Sequence, residues 1–388
     1  MTRRRAALVL IAALALAVLL PAILAPRGAP AWVKRASPSP EGPAPRGLPP
    51  LFVFILDAHA SLGEIERLEE GSGLARRLER SYAAGGFTVY RNAYANFQET
   101  ILSVPSILNF ELAPFPGAVG ADYFALPRNR LFEKLLARGY RLSVFQTTYI
   151  DFGRTAGAPV DELSIFDPFS ARFTAGSGLS AAGEALLLLS RLSPRFGPLP
   201  SFYGAFSMSP VLEALRADLA DGGADRAYLA HVMAPHAPFV YGADCRVKPV
   251  ASWVEELCAG CGDAEKKAAY RAYLEQVECT HAKLEDFFAA LKRAGAYDDS
   301  CIVLFGDHGS NIRDARASVP SAEEKRHNFS SFLAVKPGAC GALARPAGLS
   351  VDAEKPTAEL LNAWLRAVPP ESFAKPGYKK LYDRTAWE

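Results

Sequence analysis

The sequence has little charge of either sign to spare, few cysteines and almost no long apolar runs. Lys and Arg number 43 against 41 Asp and Glu, a formal net charge of +2 over 388 residues. That balance excludes a polybasic nucleic-acid binder, whose affinity for phosphates needs a clear cationic excess. Half of the residues are hydrophobic and 22% are charged, which excludes a disordered chain. Six cysteines are too few to serve as the framework of so long a chain. Only residues 6–25 make an apolar run of membrane-crossing length, so a protein of many spans is excluded, and no internal repeat is present.

What is there begins at that run. Its twenty residues carry no charge and one interruption, Pro21, and follow Arg3, Arg4 and Arg5. About twenty residues at 1.5 Å rise cross a hydrocarbon core of roughly 30 Å. The arginines place the N-terminus in the cytoplasm and the body outside, which predicts a single-pass cell-membrane protein. Ala29-Pro30-Ala31 offers a cleavage-like site, so a removed signal peptide stays open. Residues 26–50 hold eight prolines and read as an extended linker. Residues 51–388 then form the exported domain, with 36 basic and 40 acidic residues after position 50.

Four cysteines, Cys245, Cys258, Cys261 and Cys279, cluster in a C-x12-C-x2-C-x17-C pattern within a Cys-rich insertion near residues 242–280. Outside the cytoplasm they predict two disulfides, with a four-thiolate zinc site as the alternative. Cys301 and Cys340 read as buried thiols or as a third pair.

The run LFVFIL at 51–56 is short and unbroken, as in a strand buried on both faces. Further strands are expected at 87–95, 140–146, 226–233, 301–306 and 332–335. Helices are expected at 62–84 with a break near 71–73, and at 100–110, 131–137, 181–192, 268–294 and 357–367. The alternation predicts an α/β fold whose central, mostly parallel sheet is sandwiched by helices and preceded by one N-terminal transmembrane helix. Several of these strands end in polar residues able to do chemistry: Asp57, His231 with His236, and Asp307 with His308. Thr100 stands at a helix start. In open α/β sheets such positions converge at the carboxyl ends of the strands. One Asp after a strand would be an ordinary turn residue. Adjacent Asp307 and His308 after a buried strand are harder to explain that way, because such groups need partners.

The order of these motifs resembles the alkaline phosphatase/sulfatase superfamily, over about residues 51–337. The matching pieces are FVFILD ending at Asp57, TILSVPS beginning at Thr100, HVMAPHAPF from His231, GDHG at 306–309, and RHN containing His327. The pattern is most similar to the phosphoethanolamine and phosphoglycerol transferases. The resemblance implies an alkaline-phosphatase-like sheet and a metal-dependent enzyme acting on phosphate or sulfate esters. It implies that Asp57, Asp307, His308 and Thr100 hold a divalent metal, with Thr100 as the nucleophile. It implies that His236, His327, His231 and Lys325 bind a second metal or the substrate, and that Arg326 offsets substrate charge. His59 and His281 read as structural.

Ser103-Val104-Pro105-Ser106 matches the start of a sulfatase C/S-x-P-S-R motif, so Ser103 is the alternative nucleophile. Ile107 replaces the Arg of that motif and Ala58 follows Asp57 in place of a second acid. Ser310 stands where an acid often follows Asp-His-Gly, and Asn109-Phe110 replace a common Thr-Gly. The implied metal is Zn²⁺ or Mn²⁺, since one imidazole and few carboxylates suit borderline ions, or Ca²⁺ if the chain is a sulfatase. The expected substrate is a phosphorylated or sulfated small molecule, lipid headgroup or envelope glycan. The expected partner is the membrane, not nucleic acid. The remaining alternative is an envelope protein that keeps the fold without catalysis.

Overall fold

The structure is a computed structural model. It describes residues 32–36, 47–112, 124–126, 128–147, 150–152, 155, 158, 160–166, 205–220, 225–258, 260, 262–314 and 320–369. The apolar run at 6–25 and the helix expected at 181–192 lie outside them. Among the described residues no helix is long and apolar enough to cross a membrane.

In chain order the strands are β1 (Trp32–Ala36), β2 (Leu51–Leu56), β3 (Thr88–Val89), β4 (Phe124–Ala125), β5 (Arg141–Thr147), β6 (Ile150–Asp151), β7 (Glu162–Phe166), β8 (Arg226–Val232), β9 (Leu257–Cys258), β10 (Cys301–Gly306), β11 (Arg313–Asp314) and β12 (Leu333–Lys336). The helices are α1 (Leu62–Arg67), α2 (Gly71–Ala84), α3 (Thr100–Asn109), α4 (Arg130–Ala137), α5 (Met208–Ala220), α6 (Asp263–Arg293), α7 (Ala322–Phe329) and α8 (Thr357–Leu365).

Eight strands form one sheet in the order β1-β7-β5-β8-β2-β10-β12-β3. The five central strands from β7 to β10 run parallel, while β12 and β1 pair antiparallel at either side. The unbroken apolar run of β2 has a simple cause. Phe52, Phe54 and Leu56 enter one core, and Leu51, Val53 and Ile55 enter the other. With a core on each face the strand has no solvent side, so the polar/apolar alternation disappears. The first core is covered by α1, α2, α5 and α6, the second by α3, α4 and α8. Phe287 of α6 meets Phe52 and Phe54 edge-on, with ring centroids 5.4 and 5.6 Å apart. Each buried Phe of this kind stabilises the fold by roughly 1.5–3 kcal/mol.

Several local outcomes differ from the sequence reading. The proline-rich segment contributes the edge strand β1, because residues 32–36 form its proline-free stretch and begin with the β-formers Trp32 and Val33. The expected strand at 87–95 is regular only at Thr88–Val89; beyond it Tyr94 makes single bridges to Ser330 and Pro356. The helix expected over 62–84 is broken at 68–70. The two pieces pack so tightly there that a Cβ on Gly71 would lie 1.9 Å from the Ile65 carbonyl oxygen.

Cys245 is bonded to Cys279, midway along α6, and Cys301 to Cys340. The first bond excludes the four-thiolate zinc site, since two of its donors are consumed. The side chains of Cys258 and Cys261 lie outside the described residues. Closing a loop of the size spanned by Cys301 and Cys340, 39 positions apart, is worth about 4 kcal/mol in the chain-entropy picture.

Candidate active site

The parallel strands β2, β8 and β10 all end at the same edge, in the pairs Leu56↔Val232 and Gly306↔Leu56. Asp57 and Asp307 are the next residues, so the pairing alone brings two acids together. The turn after β2 is tight: Asp57 N–H donates to the Val232 carbonyl at 2.9 Å and Ala58 takes a left-handed φ of +62°. That conformation, unfavourable for a residue with a Cβ, lets the Ala58 N–H donate to Asp307 Oδ1 at 2.9 Å. His308 N–H donates to the same oxygen at 3.0 Å. Two glycines allow the second turn. A Cβ on Gly306 would sit 2.1 Å from the His59 carbonyl oxygen, and one on Gly309 1.9 Å from that of His327.

Thr100 is the first residue of α3 and is buried. Its hydroxyl lies 3.1 Å from His308 Nε2 and 3.4 Å from Asp57 Oδ2. His308 donates from Nδ1 to the Gly309 carbonyl at 2.7 Å, which leaves the Nε2 lone pair facing Thr100. His231, on β8, donates from Nε2 to Asp57 Oδ2 at 3.0 Å, and Phe152 meets its ring edge-on.

Ligand atoms of Asp57, Asp307 and His308 all lie within 4.8 Å of one another, in a fully buried group that could hold a metal ion. The fit to a cation rests on two orphaned atoms. Asp57 Oδ1 and Asp307 Oδ2 are buried and accept no hydrogen bond. An unpaired buried carboxylate oxygen is costly, and a bound cation removes that cost. The electrostatics agree. Burial alone would raise the Asp57 pKa, but the facing His236, His231 and His308 outweigh it and hold the carboxyl at about 2. Asp307 is pushed up by burial and by the Asp57 carboxylate beside it.

Other residues singled out from the sequence are placed as follows. Ser103, one turn along α3, donates its hydroxyl to the backbone carbonyl of Asp307. His236 is held with Nδ1–H on the Ala237 carbonyl and Nε2 3.8 Å from Glu256 Oε2. Burial works against its protonation, yet the Asp57 and Glu256 carboxylates raise its pKa. His327, on α7, has its Nε2 hydrogen-bonded with the Ser310 hydroxyl at 2.7 Å and packs against Tyr270 and Tyr273. Lys325 is half-buried on α7. Arg326 is committed to Glu64, with Nε 3.0 and 3.1 Å from its two oxygens.

A family model for sulfatases matches residues 71–333, two thirds of the sequence. The chain belongs to the sulfatase family. The match includes Thr100, Asp307 and His308, while Asp57 precedes it. Among solved structures, the chain is similar to the zinc complex of the C-terminal periplasmic domain of EptC from Escherichia coli. Identity is 12% and the TM-score 0.47, over 87% of this chain and 85% of that one. It is also similar to the C-terminal periplasmic domain of the phosphoethanolamine transferase EptC from Campylobacter jejuni. There the values are 13% and 0.47, over 86% and 94%. A 4S-sulf structure from Bacteroides thetaiotaomicron is similar at 12% and 0.47, over 81% and 71%. No curated protein matches the sequence.

Two members of this sulfatase-family site escaped the sequence reading. Glu256, facing His236, sits in a stretch with no pattern of its own. Gln276 lies fully buried on α6, where it binds the loop that carries His236. A signal for it existed: Gln276 interrupts the apolar stripe of Ala269, Ala272, Tyr273 and Val277. A polar residue on the buried face of a helix needs a partner.

Proposed function

We propose that this sulfatase-family chain is a metal-dependent enzyme that cleaves or transfers phosphate esters through a covalent phospho-Thr100 intermediate. The observation that carries the reading is the Thr100 hydroxyl set against Asp57 and His308, beside two buried carboxylate oxygens that lack any partner. Asp57, Asp307, His308 and the Thr100 oxygen would hold the cation, with Zn²⁺ or Mn²⁺ favoured by the mixed oxygen and imidazole donors. A bound divalent cation lowers the pKa of the hydroxyl and offsets negative charge in the transferred group.

The chain's own residues do the rest. His231 holds Asp57 in orientation through its 3.0 Å bond. The N–H groups of Ala58 and His308 occupy Asp307 Oδ1, which leaves Oδ2 as the oxygen that would hold a cation. The free N–H groups at the start of α3 favour a phosphoryl oxygen next to Thr100. His236, raised in pKa, is suited to bind the anionic group or to protonate a leaving oxygen. Lys325 supplies a further cation for the substrate, while His327 serves through Ser310, next to the Asp-His-Gly turn. Ser103 is the weaker nucleophile, because its hydroxyl is occupied by the Asp307 carbonyl.

The apolar run at 6–25 and the two disulfides support a membrane-anchored, exported enzyme working on lipid headgroups or envelope glycans. The test is metal analysis with turnover of bis(4-nitrophenyl) phosphate and 4-nitrophenyl sulfate by wild type, Thr100→Ala and Ser103→Ala. Phosphodiester turnover lost only in Thr100→Ala is expected. Sulfate turnover that survives Thr100→Ala and is lost in Ser103→Ala would overturn the assignment.

A further inference from the structure

His236 sits in a loop that cannot hold itself. Residues 234–241 read APHAPFVY, and the two prolines carry no N–H to donate. The loop is nevertheless buried at most positions, so its backbone groups need partners from elsewhere. The 247–254 segment supplies two: the Val254 carbonyl accepts from the Phe239 N–H and the Lys248 N–H donates to the Val240 carbonyl, each at 2.8 Å. Gln276 of α6 supplies those around His236. Its Nε2 donates toward the carbonyls of His236 at 2.7 Å, Pro235 at 3.1 Å and Pro238 at 3.3 Å. Its Oε1 accepts from the N–H groups of Val240 at 2.7 Å and Tyr241 at 3.2 Å. One side chain, 0% exposed, thus meets five backbone groups of one loop.

Those contacts bracket the histidine. Carbonyls on either side of it are held, its own carbonyl makes the shortest donor bond, and its ring leans on the Ala237 carbonyl between them. Ring direction therefore follows the backbone at 236–237, and that backbone follows the amide. The amide has only one workable orientation, NH₂ toward three acceptors and oxygen toward two donors. We propose that Gln276 is a positioning residue, which fixes the direction of the His236 imidazole at the transfer site. This rests on the catalytic reading of His236 given above.

The test uses the full-length, metal-loaded chain. Gln276→Met removes all five bonds at similar length, and Gln276→Glu keeps the two from Val240 and Tyr241. With bis(4-nitrophenyl) phosphate, kcat per bound metal should fall about 10- to 100-fold in Gln276→Met and less in Gln276→Glu. Metal stoichiometry should not change, because Gln276 touches none of the metal-holding side chains. Combining either variant with His236→Ala should cost no more than His236→Ala alone, since both act through one ring. Losses that multiply overturn the proposal, as does full kcat in folded Gln276→Met.

If Gln276→Met fails to fold, Gln276→Glu carries the same cycle. A second readout needs no turnover. In ¹⁵N-histidine-labelled protein, the ring signals assigned to His236 by their absence from His236→Ala should shift in the Gln276 variants, with those of His59 unmoved. Unshifted His236 signals overturn the proposal. Thr100→Ala run alongside separates the two ideas: activity there rejects the transfer reading, whereas multiplying losses beside an inactive Thr100→Ala reject only the role of Gln276.

Discussion

Acidifying the chain from pH 7.5 to pH 5 should remove about 4 kcal/mol of stability through two buried imidazoles, His59 and His327. Burial holds His59 at about 4, against an ordinary value of 6.5. Its Nδ1–H donates to the Ala60 carbonyl at 2.7 Å, so its Nε2 must accept from His281 Nε2, also at 2.7 Å. His281 in turn accepts from the Tyr82 hydroxyl at 2.6 Å. The chain of bonds is complete with every ring neutral, and a further proton would set two N–H groups against each other. His281 is itself held well below 6.5 by burial and by His59. Burial and the adjacent Arg326 bring His327 down to about 3.

In the unfolded chain all these rings take up protons below about 6.5, while the folded chain resists until about 4 or 3. Stability therefore rises with pH through that window and is lost on acidification, by about 2 kcal/mol per ring at pH 5. His236 and Asp307, both raised, act with the opposite sign. The clean comparison is therefore with His327→Gln, which keeps a hydrogen-bond partner for Ser310 but cannot titrate. Urea unfolding followed by tryptophan fluorescence at several pH values should show the variant losing about 2 kcal/mol less than wild type between pH 7.5 and 5. Equal slopes in the two proteins would refute the neutral, buried state of His327.

Chelation of the metal-loaded chain should lower its thermal midpoint by about 4 °C, since ligand at a hundredfold excess over Kd adds about 3 kcal/mol and unfolding entropy scales with the size of the domain. Calorimetry with and without EDTA checks this, and an unchanged midpoint would mean that the Asp57–Asp307 pair holds no ion. Gly309→Ala should cost about 3 kcal/mol or more and abolish turnover, because its methyl would meet the His327 carbonyl oxygen at 1.9 Å. A variant as stable as wild type in urea would show that α7 and the Asp-His-Gly turn do not pack as described.

Much of the sheet was legible because β2, β8 and β10 are buried on both faces and appear as compact apolar runs. Their common parallel direction then turns Asp57, Asp307 and His308 into neighbours, which is why residues 250 positions apart could be grouped beforehand. Other features carry no such local mark. The partner of Arg326 is Glu64, 262 positions away, and only the packing of α1 against α7 reveals it. The pairing of Cys301 with Cys340 depends on where β10 and the turn after β12 meet. The helix α5 went unread because Pro210 in its first turn obscures its start, and β1 because prolines surround it. Gln276 shows in the sequence only as a polar break in the apolar stripe of α6; its partners are backbone atoms, which leave no trace in residue identity.

The register of β2 against β10 has a further consequence. Leu56 lies opposite Gly306, so the two acids emerge side by side only in this alignment. A slip of one position would displace one carboxylate by about 3.3 Å and turn it to the opposite side of the sheet. Only in that alignment could both carboxylates reach one shared cation.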